Sequence, residues 1–140
     1  MSDAKLAYEL RVLFERKITA PYYDSFKGKY GRTQVEVLNY LYDNDAAGVQ
    51  KLAQTLNIPK QHASKIVGRL KEEGLLLCRE DPKDRRALRF SLSPEGKHLM
   101  ELHIADSNHR FKQCLEALEE RERRRFRQAM EAMVEILQIL

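Results

Sequence analysis

Residues 49–92, VQKLAQTLNIPKQHASKIVGRLKEEGLLLCREDPKDRRALRFSL, decide the fold, because the hydrophobic period changes once within them. Up to residue 73 apolar side chains recur at three and four. Leu52, Ala53 and Leu56 share one face, and Ala63, Ile66, Val67 and Leu70 another, the spacing of two amphipathic helices. Asn57-Ile58-Pro59 separates them, and proline's fixed φ suits the first turn of the second helix, which should start at Pro59 or Lys60. Gly74 closes that helix, since glycine takes the left-handed backbone of a helix end without steric cost. The period then falls to two. Residues 75–80 read as an apolar strand, and residues 87–92 alternate with Leu88, Phe90 and Leu92 on one face. The charged turn Asp81-Pro82-Lys83-Asp84-Arg85-Arg86 joins them. A lone two-stranded hairpin is marginal in water, so its apolar face must pack on the helices.

Upstream, Thr33 and Glu36 have the spacing of a capping box and start a helix near Gln34. Its stripe is Val35, Leu38, Leu41 and Tyr42, it ends at Asp43-Asn44-Asp45, and Gly48 marks a turn. Before it, Leu6, Leu10, Leu13, Phe14 and Ile18 form one helical stripe that Pro21 should bend or end. Residues 22–31 mix aromatics with two glycines and fit a short helix or a loop.

Downstream, Ser93 is the expected cap of a helix with Pro94 in its first turn. Its apolar positions include Leu99, Leu102, Ala105, Phe111, Cys114, Leu115 and Leu118, and a break is expected near residues 118–122. The last segment carries Phe126, Met130, Met133, Leu137 and Leu140 as a heptad seam, with Val134, Ile136 and Ile139 beside it. That is more apolar surface than one small core covers, so a partner chain is expected.

Of 140 residues, 25 are Lys or Arg and 21 are Asp or Glu, a net charge of +4. Residues 1–59 contribute +1, residues 60–89 contribute +4 and residues 90–140 contribute −1. The surplus therefore lies on the second helix of the pair and on the hairpin, a local cationic surface of the kind that attracts a polyanion. A second cationic run, the arginines at 121, 123, 124, 125 and 127, has Glu116, Glu119, Glu120 and Glu122 within helical reach and reads as a neutralised face.

Other classes are excluded by what the chain lacks. No apolar run approaches the roughly 18 residues of a membrane span, and residues 1–10 are too charged for a secretory signal, so a cytoplasmic location is expected. Cys78 and Cys114 offer no disulfide framework or metal spacing, and both read as small buried hydrophobes. No Asp, Glu or Cys lies one turn from His62 to orient it. His98, His103 and His109, at offsets of five and six, should scatter over a helix surface. No catalytic residue, metal site or cofactor is expected.

Helix, short helix, turn, helix and charged-tip hairpin is the layout of a winged helix-turn-helix. The expected fold is mostly α with a small β-hairpin wing, a DNA-binding lobe over residues 31–93. N-terminal (1–30) and C-terminal (94–140) helical segments flank it in one compact domain. A helix fits the major groove of double-stranded DNA, and the face offered is Lys60, Gln61, His62, Ser64, Lys65, Gly68 and Arg69. Gln61, His62, Ser64 and Lys65 are candidates for base edges or flanking phosphates, Lys60 and Arg69 for phosphates.

The residues Thr33 through Leu38, Leu52-Ala53, Ala63 through Leu75, and the wing from Asp81 to Ala87 leading into Leu92-Ser93-Pro94-Glu95-Gly96 together resemble the MarR (multiple antibiotic resistance regulator) transcription factors over nearly the whole chain. The resemblance makes the two flanking segments dimerisation helices and implies a homodimer held by them, here through Leu6, Leu10, Leu13, Met130, Met133, Leu137 and Leu140, on a pseudo-palindromic operator. It also implies that a wing arginine enters the minor groove while an aspartate supports it. Arg86 is carried over as that arginine and Asp84 as its support, with Lys83 and Arg85 beside them. An effector cavity is implied as well, and Tyr8, Tyr22, Tyr23, Phe26 and Tyr30 supply aromatic walls suited to a small aromatic or phenolic effector. Pro59 stands where the family commonly has a small polar cap, and His62 where it has threonine, so base preference does not carry over. A repressor released by its effector is the expectation. The alternatives are a protein-interaction module without DNA, which should carry apolar residues on the helix face and wing, and a thiol-based redox sensor. The N-terminal thiol through which some members of the family sense oxidants has no counterpart before Cys78.

Overall fold

Asn57 holds φ at 54°, in the left-handed region that a short polar side chain tolerates, and the chain turns there between two helices, α4 (Val49–Leu56) and α5 (Lys60–Glu72). The Ile58 amide closes the turn by donating to the Ala53 carbonyl at 3.0 Å. In the computed structural model, which describes residues 1–26 and 28–140, the helices before this turn are α1 (Asp3–Phe14), α2 (Ala20–Asp24) and α3 (Arg32–Asp43). A π-helical turn (Glu15–Thr19) links the first two. After it come the strands β2 (Leu76–Asp81) and β3 (Asp84–Leu92), then α6 (Pro94–Glu116) and α7 (Glu120–Leu137). Two compact units result, Met1–Ala105 and Asp106–Leu140. Among the described residues no helix is long and apolar enough to cross a membrane.

The expected helix pair is present, with Ala63, Ile66, Val67 and Leu70 buried on α5, and Gly74 ending it at φ 79°. The helix starts at Lys60, the second of the two expected starts, and Pro59 is its cap residue rather than part of the first turn. The wing is part of a three-stranded antiparallel sheet ordered β1-β3-β2, because Ala47–Gly48 forms a strand, β1, with Ala47 opposite Phe90 and Gly48 opposite Arg89. Two residues carry no period, which is why Gly48 reads from sequence as a turn. On β3, Phe90 is buried and Leu92 half-buried, but Leu88 is exposed, since the hairpin runs out beyond the core.

Several local expectations are corrected. Gly31, not Thr33, precedes α3, and its amide donates to the Gln34 side chain at 2.9 Å, while Glu36 reaches Arg32. Val37 is buried and Tyr42 exposed, because α3 is covered over a wider arc than one stripe. The regular α-helix ends at Phe14 and passes through the π-helical turn at Glu15–Thr19 just ahead of Pro21. Pro21 stands in the first turn of α2, where its missing N–H costs nothing. Of the stretch 22–31, Phe26 and Tyr30 enter the core and Lys27 lies outside the described residues. On α6, Leu102 and Ala105 are exposed, and Met100 and His103 take the buried positions. Cys78 is half-buried opposite Phe90, and Cys114 is exposed rather than buried.

Ser93 fixes the start of α6. Its hydroxyl accepts from the Gly96 amide at 3.0 Å and donates to the Gly74 carbonyl at 2.5 Å, while its amide donates to the Leu75 carbonyl at 2.9 Å. The end of α5, the start of β2 and the start of α6 are thereby tied together.

Candidate nucleic-acid interface

Burial of Ala63, Ile66, Val67 and Leu70 against the core leaves the opposite side of α5 to solvent, and Lys60, Gln61, His62, Ser64, Lys65 and Arg69 are all exposed there, with Gly68 half-buried. The Arg69 guanidinium lies 3.3 Å from Glu73, an exposed i,i+4 pair that a stronger anion can displace.

At the wing, Asp81 pairs with Asp84 and Glu80 with Leu88, so residues 85–87 have no counterpart across the register. The turn is shaped by two aspartates: the Lys83 amide donates to Asp81 at 2.9 Å and the Arg86 amide to Asp84 at 3.0 Å. Lys83, Arg85 and Arg86 stand exposed on this tip. Asp84 thus supports the tip through the backbone of Arg86. Arg89 is different. Its guanidinium donates to the Ala46 carbonyl at 3.1 Å and ties the strand before α4 to the sheet, so this member of the basic stretch is engaged structurally.

Arg32 is a cation the charge count of residues 60–89 passes over. It begins α3 and lines one groove with His62, Lys65 and Arg69. Its only sequence signal is a position just before an apolar helix. The Glu15 carboxylate lies 2.7 Å from it, and that guanidinium holds the Glu15 carboxyl below the usual carboxylate range.

The aromatic candidates divide. Phe26 and Tyr30 are buried edge to face, centroids 5.8 Å apart, and Tyr22 and Tyr23 are half-buried in the same arrangement at 5.2 Å. Burial pushes the Tyr22 and Tyr23 phenols up, which keeps them protonated donors. Tyr22 uses its hydroxyl on Asn39, at 2.5 Å. Tyr8 is exposed, with Arg11 over its ring. His103, read from sequence as a surface residue, joins this group: it stacks on Phe26 at 3.6 Å and lies 2.7 Å from the Ser25 hydroxyl. That hydroxyl also donates to the Tyr22 carbonyl at 2.6 Å, so Ser25 links the His103 ring to the backbone of α2.

Leu6, Leu10 and Leu13 are exposed along α1, and Leu137 and Leu140 at the C-terminal end. Met130 and Met133 are half-buried, and Phe126 packs on Phe111 at 6.2 Å. Of the arginine run on α7, Arg124 pairs with Glu120 and Arg125 with Glu122 as expected, whereas Arg127 pairs with Glu131 at 3.0 Å and Arg123 donates to the Leu118 carbonyl.

Residues 30–87 match the MarR family. Among solved structures, the YusO protein from Bacillus subtilis shares 22% identity over all of both chains, with a TM-score of 0.72. A variant of Staphylococcus aureus MepR bound to an oligodeoxyribonucleotide shares 18% identity over 94% of this chain and 97% of its own, with a TM-score of 0.71. Bordetella bronchiseptica BpsR, whose DNA binding is regulated by 6-hydroxynicotinic acid, shares 24% identity over 91% of each chain, with a TM-score of 0.62. These likenesses establish the fold. No curated protein matches the chain.

Proposed function

From the match of residues 30–87 to the MarR family, we propose that the protein is a homodimeric, sequence-specific DNA-binding transcriptional regulator in the cytoplasm. It represses from a pseudo-palindromic operator and is released by a small aromatic or phenolic effector. The observation that carries this reading is the exposed polar and cationic face of α5, Lys60, Gln61, His62, Ser64, Lys65 and Arg69, accompanied by a wing tipped with Lys83, Arg85 and Arg86. α5 enters the major groove, and the wing reaches the adjacent minor groove with Asp84 supporting Arg86. Leu6, Leu10, Leu13, Met130, Met133, Leu137 and Leu140 form the dimer contact. The effector reading is supported by the half-buried Tyr22 and Tyr23 and by BpsR, which answers to an aromatic acid. Phe26 and Tyr30 contribute as packed walls and Tyr8 as an exposed flank.

Footprinting on the DNA upstream of the protein's own coding region, with binding titrated against salt, tests this. A dimer neutralising about eight phosphates should give a log–log slope near about −7. A flat salt response would remove DNA as the partner.

Arg86→Ala should weaken operator binding by about 1–3 kcal/mol, the scale of one groove contact. The Arg86 backbone bond to Asp84 survives the substitution, so the turn stays shaped and the loss reports the side chain. An unchanged gel-shift titration would remove the wing from the interface.

A further inference from the structure

A groove of about 420 Å³ lies between the start of α3 and the outer face of α5, lined by Arg32, Thr33, Gln34, His62, Lys65 and Arg69. Two arginines and a lysine around one opening, with a histidine and two neutral polar side chains at its rim and Ile66 beneath, place three positive charges where one anion could meet them. Lys65 and Arg69 already face the proposed DNA. Arg32 comes from a different helix and is held otherwise. Its guanidinium reaches both Glu15 carboxylate oxygens, at 2.7 and 3.4 Å, and lies 4.6 Å above the centre of the Tyr23 ring, with Glu36 3.5 Å from its Nε.

We propose that this groove seats a backbone phosphate of the bound duplex, and that Glu15 competes with that phosphate for Arg32 in the free protein. A carboxylate and a phosphodiester present the same pair of anionic oxygens to the guanidinium fork, so one stands in for the other. The pair is half-exposed on both sides, 51% and 44%, which makes it weak and salt-screened, and a duplex offering a row of phosphates displaces it with release of counterions. The Tyr23 ring holds the guanidinium by its face and leaves the fork free to change anion. Glu15 lies on the π-helical turn, so the hold of the N-terminal helix on Arg32 and the hold of DNA on Arg32 exclude each other.

This inference rests on the DNA-binding reading, and the test separates the two. Equilibrium binding of a labelled duplex to the full chain is measured across salt for the parent, Glu15→Gln, Arg32→Gln, the double variant and Arg86→Ala. Glu15→Gln should tighten binding about twofold to fivefold for each copy bound, the equivalent of one exposed ion pair. Arg32→Gln should weaken binding and flatten the salt slope by about 0.9 per copy. In the Arg32→Gln background Glu15→Gln should add nothing. Should Arg32→Gln melt early, Arg32→Lys is read in its place; it keeps the charge, loses the fork, and should reduce the gain from Glu15→Gln. Equal tightening by Glu15→Gln with and without Arg32 would mean a general charge effect and overturn the competition. An unchanged slope in Arg32→Gln would overturn the seat. If Arg86→Ala weakens binding while Arg32→Gln does not, this inference alone falls. A parent that binds no duplex at any salt removes both.

Discussion

Gly96→Ala is expected to destabilise the chain by about 3 kcal/mol, lowering the melting temperature by roughly 10 °C. Gly96 is buried in the first turn of α6, and a Cβ there would overlap the Leu75 carbonyl oxygen and come within 3.1 Å of the carbonyl carbon. That neighbour is backbone, so no rotamer change relieves the clash. It is also engaged, because the Leu75 carbonyl accepts the Ser93 amide and the Leu75 amide donates to Leu70. Alanine gains about 1 kcal/mol of helix propensity over glycine. The overlap outweighs it, since relief requires parting α6 from the start of β2, with loss of the Ser93 bonds to Gly74 and Gly96. Thermal denaturation followed by circular dichroism checks this. A melting point within about 2 °C of the parent's would show that the helix start slides at little cost.

Paired substitutions Leu10→Glu and Leu137→Glu should convert the proposed dimer to monomer and lower operator affinity about a thousandfold. Two linked reading heads bind a palindrome at a high effective concentration that a monomer forfeits, a gain of about 10² to 10⁴. Both leucines are largely exposed in the single chain, 46% and 59%, so the charges leave the fold intact and act on association alone. Two glutamates facing their copies across an apolar contact carry a desolvation cost and repel each other. Sedimentation velocity and duplex binding on the same samples read the two effects. A variant that stays dimeric with parental affinity would place the dimer contact elsewhere.

How much was legible from residue order depends on the range of the interaction. α4, Asn57, α5 and Gly74 were legible because helix period, capping and left-handed turns are set within a few residues. The hairpin was legible for the same reason, since alternation and the Asp81-Pro82 turn are local. Among the candidate contacts, the exposed face of α5 followed directly: once Ala63, Ile66, Val67 and Leu70 are known to be buried, the residues opposite them must be exposed.

Other assignments depended on partners far along the chain. Ala47–Gly48 becomes a strand only because Phe90 and Arg89 lie beside it. His103 is buried because Ser25 and Phe26, nearly eighty residues earlier, supply a hydrogen bond and a ring. Arg89 counts as surplus charge in the sequence but spends its guanidinium on Ala46.

Residues 49–92 alone specify a helix-turn-helix, a wing and the placement of the +4 surplus upon them, because propensity, period and charge are properties of neighbouring residues. The folded chain adds which cations are free to meet an anion and which are held, and it brings Arg32 from another helix to the groove beside Lys65 and Arg69. That distinction lies outside composition, since the partner of a guanidinium is chosen by distance in space.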